Sequence, residues 1–152
     1  MFEGFTAHTF RVGNGIEIRA RVGGSGPPVL LLHGFPQTHV CWHKVAPGLA
    51  SRFTVVATDL RGYGASSKPE GGENHNYSKR VMALDQLEAM RKIGFGRFRL
   101  VGHDRGGRVA HRLAPDHPAA VERLASSTSR RRRRCMPTRT ARLPRPPITG
   151  SS

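Results

Sequence analysis

Asp104 stands in the run Gly102-His103-Asp104-Arg105-Gly106-Gly107-Arg108, behind an apolar stretch (Phe98, Leu100, Val101) and ahead of a helix-like one. That order predicts a strand, a sharp turn and a helix, with a carboxylate at the apex and glycines on either side that permit a strained backbone. This is the layout of a nucleophile elbow. A carboxylate with an ordinary pKa of about 4 is already an anion at neutral pH, so it can attack without a neighbouring base. It suits a saturated carbon that carries a leaving group. Displacement there gives an ester on the protein, and hydrolysing that ester needs a base to activate water. Arg105 and Arg108 lie three apart at the start of the expected helix and share a face. The helix N-terminus adds further positive potential. Two guanidinium forks beside the nucleophile fit a small carboxylic acid with a displaceable group on the next carbon.

The elements that must position these residues are read from hydrophobic period and turn chemistry. Thr9–Val12 and Ile16–Ala20 alternate and are joined through Gly13-Asn14-Gly15, a hairpin signal. Val29–Leu32, after Pro27-Pro28, is an unbroken apolar run expected of a strand buried on both faces. A short helix is predicted over Val40–Leu49, limited by Pro47, and a second buried strand over Phe53–Ala57. Ser78 can cap a helix whose Val81, Leu84, Leu87 and Met90 recur on one side before Gly94 stops it. Phe98–Val101 is the next strand and Gly106–Leu113 the elbow helix. The alternation predicts an α/β fold, a mostly parallel sheet flanked by helices after an antiparallel start. His33-Gly34-Phe35, Asp59 and Asp104 each follow a predicted strand, so all three converge on the carboxyl edge, where such sheets bind ligands.

Three blocks, His33-Gly34-Phe35-Pro36-Gln37, Asp59-Leu60-Arg61-Gly62-Tyr63-Gly64-Ala65-Ser66 and the Asp104 elbow with both arginines, resemble the haloacetate (fluoroacetate) dehalogenases of the α/β-hydrolase superfamily. Arg105 makes the elbow specific, because related haloalkane dehalogenases and epoxide hydrolases usually carry an aromatic residue there. The resemblance implies an α/β-hydrolase fold with Asp104 as the nucleophile that displaces halide from a 2-haloacid. It also implies that Arg105 and Arg108 bind the substrate carboxylate and that the backbone N–H groups of Phe35 and Arg105 form an oxyanion hole. No cofactor and no metal are implied. Asp59 with Arg61 is read as tying its glycine-rich loop together, and His33 and His103 as filling polar gaps beside turns.

The resemblance covers residues 1–125, the N-terminal part of such a domain, and stops near Leu124. The superfamily follows its nucleophile with an acid and, much later, a histidine. After Asp104 the only carboxylates are Asp116 and Glu122, and the only histidines are His111 and His117. His111 falls about two helical turns below the elbow, and His117 precedes Pro118 in the turn that ends the helix. The expectation is therefore a chain truncated before the cap and C-terminal elements, without turnover of its own.

Residues 126–152 read differently. They contain five consecutive arginines, no carboxylate, and a stretch of Pro, Thr, Arg and Gly around Cys135 and Met136. The 152-residue chain has a formal charge of +15, of which this segment supplies eight, leaving +7 for residues 1–125. Ala119–Leu124 resembles the lead-in to another buried strand, with no apolar strand after it. A change of reading frame near residue 125 would account for this, because GC-rich DNA read out of frame encodes Arg, Pro, Ala and Gly. The segment is expected to be a basic, disordered tail. It lacks interleaved aromatics or a nucleic-acid module, so no specific nucleic acid is expected as a partner. The expected partner is a small anionic, haloacetate-like substrate. Cys41 and Cys135 give no disulfide framework, the N-terminus has no basic region followed by an apolar core, and no run reaches the length of a membrane span. A cytoplasmic protein is the resulting expectation. The alternatives are another α/β-hydrolase, such as an epoxide hydrolase, and a non-catalytic basic binding protein.

Overall fold

The computed structural model describes residues 2–71 and 76–127. The tail from residue 128 on, including most of the 126–152 segment and the arginine run, lies outside the described residues. Six strands form one sheet: β1 (Phe5–Val12), β2 (Ile16–Gly23), β3 (Pro28–Leu32), β4 (Thr54–Thr58), β5 (Phe98–His103) and β6 (Val121–Ser127). Their order is β1-β2-β4-β3-β5-β6. The β1–β2 and β2–β4 pairs are antiparallel, and β3 pairs in parallel with both β4 and β5, as β5 does with β6. The expected antiparallel start and parallel body are both present. Asn14 and Gly15 turn the hairpin at φ of 57° and 72°.

Buried strands alternate between two cores. Leu30 and Leu32 of β3 and Val56 of β4 face one core, with Ile18, Leu87, Met90, Phe98, Leu100, Val109 and Leu113. Val29 and Leu31 of β3 and Val55 and Ala57 of β4 face the other, with Ala46 and the partly buried Trp42, Leu49 and Phe53. The period of two along each strand forces this division. Helices α2 (Lys79–Lys92) and α3 (Arg105–Asp116) cover the first face, and the short α1 (Ala46–Ala50) lies over the second. No helix of the described residues is long and apolar enough to cross a membrane.

Four local expectations are corrected. The predicted helix over Val40–Leu49 is two pieces, a 3-10 turn at His39–Trp42 capped by Thr38 and then α1, because Pro47 sits in the first turn of α1, where its missing N–H costs nothing. In α2 the cap at Ser78 is present, its side chain accepting from the Val81 N–H at 3.2 Å. The buried face, however, is Met82, Ala83, Asp85, Gln86, Leu87, Ala89 and Met90, and Leu84 is exposed. Two alanines and a glutamine hid that face from a search for large apolar residues. Ala119–Leu124 does lead into a strand, since β6 runs on through residue 125 to Ser127; pairing with β5 holds it although most of its side chains are exposed. Finally, Arg61 does not pair with Asp59. Its guanidinium grips Asp85 of α2 through both carboxylate oxygens, at 2.8 and 2.6 Å, in a buried pair that ties the loop after β4 to the helix.

Candidate active site

The turn between β5 and α3 is built around Asp104, whose backbone has φ 47° and ψ −109°, a conformation that L-residues rarely adopt. Two glycines make this turn possible by close approach. A Cβ on Gly102 would lie 2.7 Å from the Gly106 carbonyl oxygen, and one on Gly106 would lie 2.4 Å from the Leu32 carbonyl oxygen. The Gly106 N–H donates to the His33 carbonyl at 3.0 Å, the Asp104 N–H donates to the Ser127 carbonyl at 2.7 Å, and the Arg108 N–H donates to the Asp104 carbonyl at 3.1 Å. The strained apex is thus held from three sides.

The Asp104 side chain makes no cap bond to its own helix. It turns instead to the loop after β3, where Oδ2 accepts from the Phe35 N–H at 3.1 Å. Gly34 leaves the necessary room: a Cβ there would lie 2.9 Å from Asp104 Cβ. The Phe35 N–H holds the Asp104 carboxyl below the usual 3.8; desolvation opposes it, and the Arg105 N–H and the charges of Arg108 and His103 add to the lowering. Among the described residues, Oδ1 accepts no side-chain or loop hydrogen bond. The result is a carboxylate with Oδ2 docked on the Phe35 N–H and Oδ1 without a hydrogen-bond partner among the described residues.

The two arginines are not equivalent. Arg108 acts on Asp104 through its charge. The Arg105 guanidinium lies over the ring of Phe35, 5.0 Å from its centroid, and that ring is 60% exposed. Residues 35, 104, 105 and 108, singled out in the sequence, therefore lie together at one sheet edge. Lys79, at the first position of α2, belongs with them and was not singled out. The charges that bear on its ammonium are those of Arg105, Arg108 and Asp104.

The histidines have other hydrogen-bond partners. His33 is buried; its Nε2 accepts from the Leu60 N–H at 3.0 Å, so Nδ1 carries the proton and donates to the Gly34 carbonyl at 2.8 Å. Burial lowers its pKa from 6.5 and keeps it neutral. His103 Nδ1 pairs with Ser127 Oγ at 2.9 Å, and His111 Nε2 with Ser126 Oγ at 2.7 Å. Among the described residues no imidazole hydrogen-bonds to Asp104. Asp59 does hold its loop, as expected, but with other partners. Its carboxylate accepts from the His39 N–H and Nδ1, each at 2.7 Å, and from the Ala65 N–H at 3.1 Å. Burial raises the Asp59 pKa, and those hydrogen bonds outweigh it, so the group stays below 3.8.

Comparison with known proteins agrees with this architecture. The alpha/beta hydrolase fold family matches residues 27–148. A fluoroacetate dehalogenase from Burkholderia sp. is 60% identical over 126 residues, covering 82% of this chain and 41% of the relative. A soluble epoxide hydrolase from Corynebacterium sp. (strain C12) is 45% identical over 111 residues, 73% of this chain and 37% of the relative. Among solved structures, ALR0039 from Nostoc sp. PCC 7120, assigned to the alpha/beta hydrolases, superposes with a TM-score of 0.81 at 58% identity, over 83% of this chain and 43% of that one. The chain thus spans about two fifths of the length of the curated dehalogenase. By sequence, fold and strand order, it belongs to the alpha/beta hydrolase fold family.

Proposed function

We propose that Asp104 is a nucleophile that displaces halide from a small 2-halocarboxylate such as a haloacetate. The observation that carries this reading is the split environment of its carboxylate. Oδ2 rests on the Phe35 N–H while Oδ1 is open, in a group held anionic by backbone donors and Arg108. In the proposed step Oδ1 forms a bond to the carbon next to the substrate carboxylate. The carbon–halogen bond breaks and the halide leaves with its electron pair, giving an ester of Asp104. Arg108 and Arg105 hold the substrate carboxylate, for which Arg105 swings off the Phe35 ring. The N–H groups of Phe35 and Arg105 then face the oxyanion that forms when water attacks the ester carbonyl.

The second half-reaction needs a base for that water. Of the histidines that follow Asp104, His111 is bonded to Ser126 Oγ and His117 caps the far end of α3, so the reading for this chain is ester formation without turnover. Treating the chain with bromoacetate and mapping the modified peptide tests this directly. The expected result is one carboxymethyl group on Asp104, none in Asp104→Asn, and no sustained halide release. Steady halide release, or labelling that is unchanged in Asp104→Asn, would overturn it. The same attack could open an epoxide, a reading favoured by the soluble epoxide hydrolase among the relatives; Asp104 labelling by a neutral epoxide in preference to bromoacetate would select it. The cellular setting proposed is a reducing cytoplasm, in keeping with two cysteines that give no disulfide framework.

A further inference from the structure

Glu3 and Arg21 bring opposite charges to one cavity and do not meet there. The cavity, of about 530 Å³, is lined by Phe2, Glu3, Arg21, His39 and Val40. Small-molecule sites typically span about 300–1,000 Å³. On the β1–β2 hairpin the exposed Arg11 and Glu17 close to an ion pair at 3.1 Å. Glu3 and Arg21 form no such pair with each other, so their charged atoms stay more than 4.0 Å apart.

Backbone anchors both charges. The strand register sets Arg21 of β2 opposite Ala57 of β4, whose side chain belongs to the second core, so Arg21 projects from that same face of the sheet. Glu3 sits in the turn before β1, which the Phe5 N–H closes by donating to the Phe2 carbonyl at 3.1 Å. The apolar part of the wall is braced as well. The Phe2 ring packs on Phe5 and on His39, with centroids 5.2 and 5.5 Å away. His39 is pinned in turn by Asp59, which accepts from its N–H and its Nδ1, each at 2.7 Å. Val40 follows on the same 3-10 turn and is exposed.

A lone cation at this cavity is attracted by Glu3 and repelled by Arg21, and a lone anion meets the reverse. A small molecule that carries both charges gains at each end, and an aliphatic group on it buries against the apolar wall. We propose that this cavity binds an apolar α-amino acid as its zwitterion, with Arg21 on the carboxylate, Glu3 on the ammonium, and Phe2 and Val40 against the side chain. The cavity shares no lining residue with the Asp104 turn, and the inference does not depend on the halocarboxylate reading.

The test titrates the full chain with L-leucine, followed by backbone amide shifts, beside two probes that each lack one charge. These are 4-methylpentanoate, without the ammonium, and 3-methylbutylamine, without the carboxylate. Leucine is expected to bind about five-fold more tightly than either. Arg21→Gln weakens leucine about five-fold and leaves 3-methylbutylamine bound no more weakly; Glu3→Gln weakens leucine by about the same factor and leaves 4-methylpentanoate bound no more weakly. A wild-type chain that binds no leucine, or that binds either single-charge probe as tightly as leucine, overturns the assignment. So does an unchanged leucine affinity in either variant, or a variant that weakens all three probes alike, since the side chain would then shape the wall without reading a charge.

Discussion

Asp59 and Asp104 invite comparison, for each is an aspartate just past the end of a parallel strand at the same sheet edge. Asp59, beyond β4, has a side chain 1% exposed, and both of its oxygens are engaged, by His39 and by Ala65. Asp104, beyond β5, is half-buried with one oxygen open. Both carboxylates are held below 3.8, so acidity does not separate them. What separates them is acceptor capacity. A carboxylate whose lone pairs are spent on loop donors braces a loop, and one with a free oxygen on a strained turn is left available.

Substitutions should split the two aspartates. Asp59→Ala leaves the donors of His39 and Ala65 unpaired in a buried loop and is expected to cost about 3 kcal/mol, read by urea unfolding. Asp104→Asn keeps the shape of a half-buried side chain and should change stability by less than about 1 kcal/mol while abolishing carboxymethylation. A large stability loss in the second variant would mean that Asp104 is also a structural carboxylate, and the contrast would collapse.

Glycine variants sharpen the comparison at the level of the turn. Gly106→Ala forces a Cβ against the Leu32 and His33 carbonyl oxygens, 2.4 and 2.5 Å away, and is expected to cost about 2 kcal/mol and to slow labelling of Asp104. Gly48→Ala in α1 meets nothing within 4 Å and should be neutral or stabilise by about 0.5 kcal/mol. Equal effects at the two positions would show that the elbow is not the tight point.

Acid gives the smallest effect. Because Asp104 has a folded pKa below its ordinary 3.8, its contribution to stability is present above that value and is lost as pH falls through the lowered one. Labelling should accordingly stay flat as pH drops from neutral to about 5. His33, lowered from 6.5 by burial, contributes fully above 6.5, and that contribution shrinks below it as the unfolded chain takes up a proton the folded one refuses. Labelling that decays near pH 6 while the fold persists would point to a histidine in the reaction.

Much of the frame was legible along the chain because its signals are local. Gly13-Asn14-Gly15 demanded a hairpin, Val29–Leu32 a buried strand, Ser78 a helix start, and Gly102 to Arg108 a strand-turn-helix with Asp104 at its apex. Where the reading failed, the deciding contact was distant. Arg61 found Asp85 across 24 residues of chain, and β6 is a strand through its pairing with β5. Pro47 reads as a helix breaker until the start of α1 is known to fall beside it.

For the site, residue type and spacing alone determined a pre-ionised carboxylate on a glycine hinge with arginines close by in sequence, because turn sterics and carboxylate acidity depend on neighbours along the chain. Tertiary structure decided which oxygen is docked, that Arg105 rests on Phe35, that Asp59 is saturated, and that Lys79 from another helix joins the same edge. Those outcomes depend on groups tens of residues apart meeting within a few ångströms, and packing of the sheet and its two helices supplies that geometry.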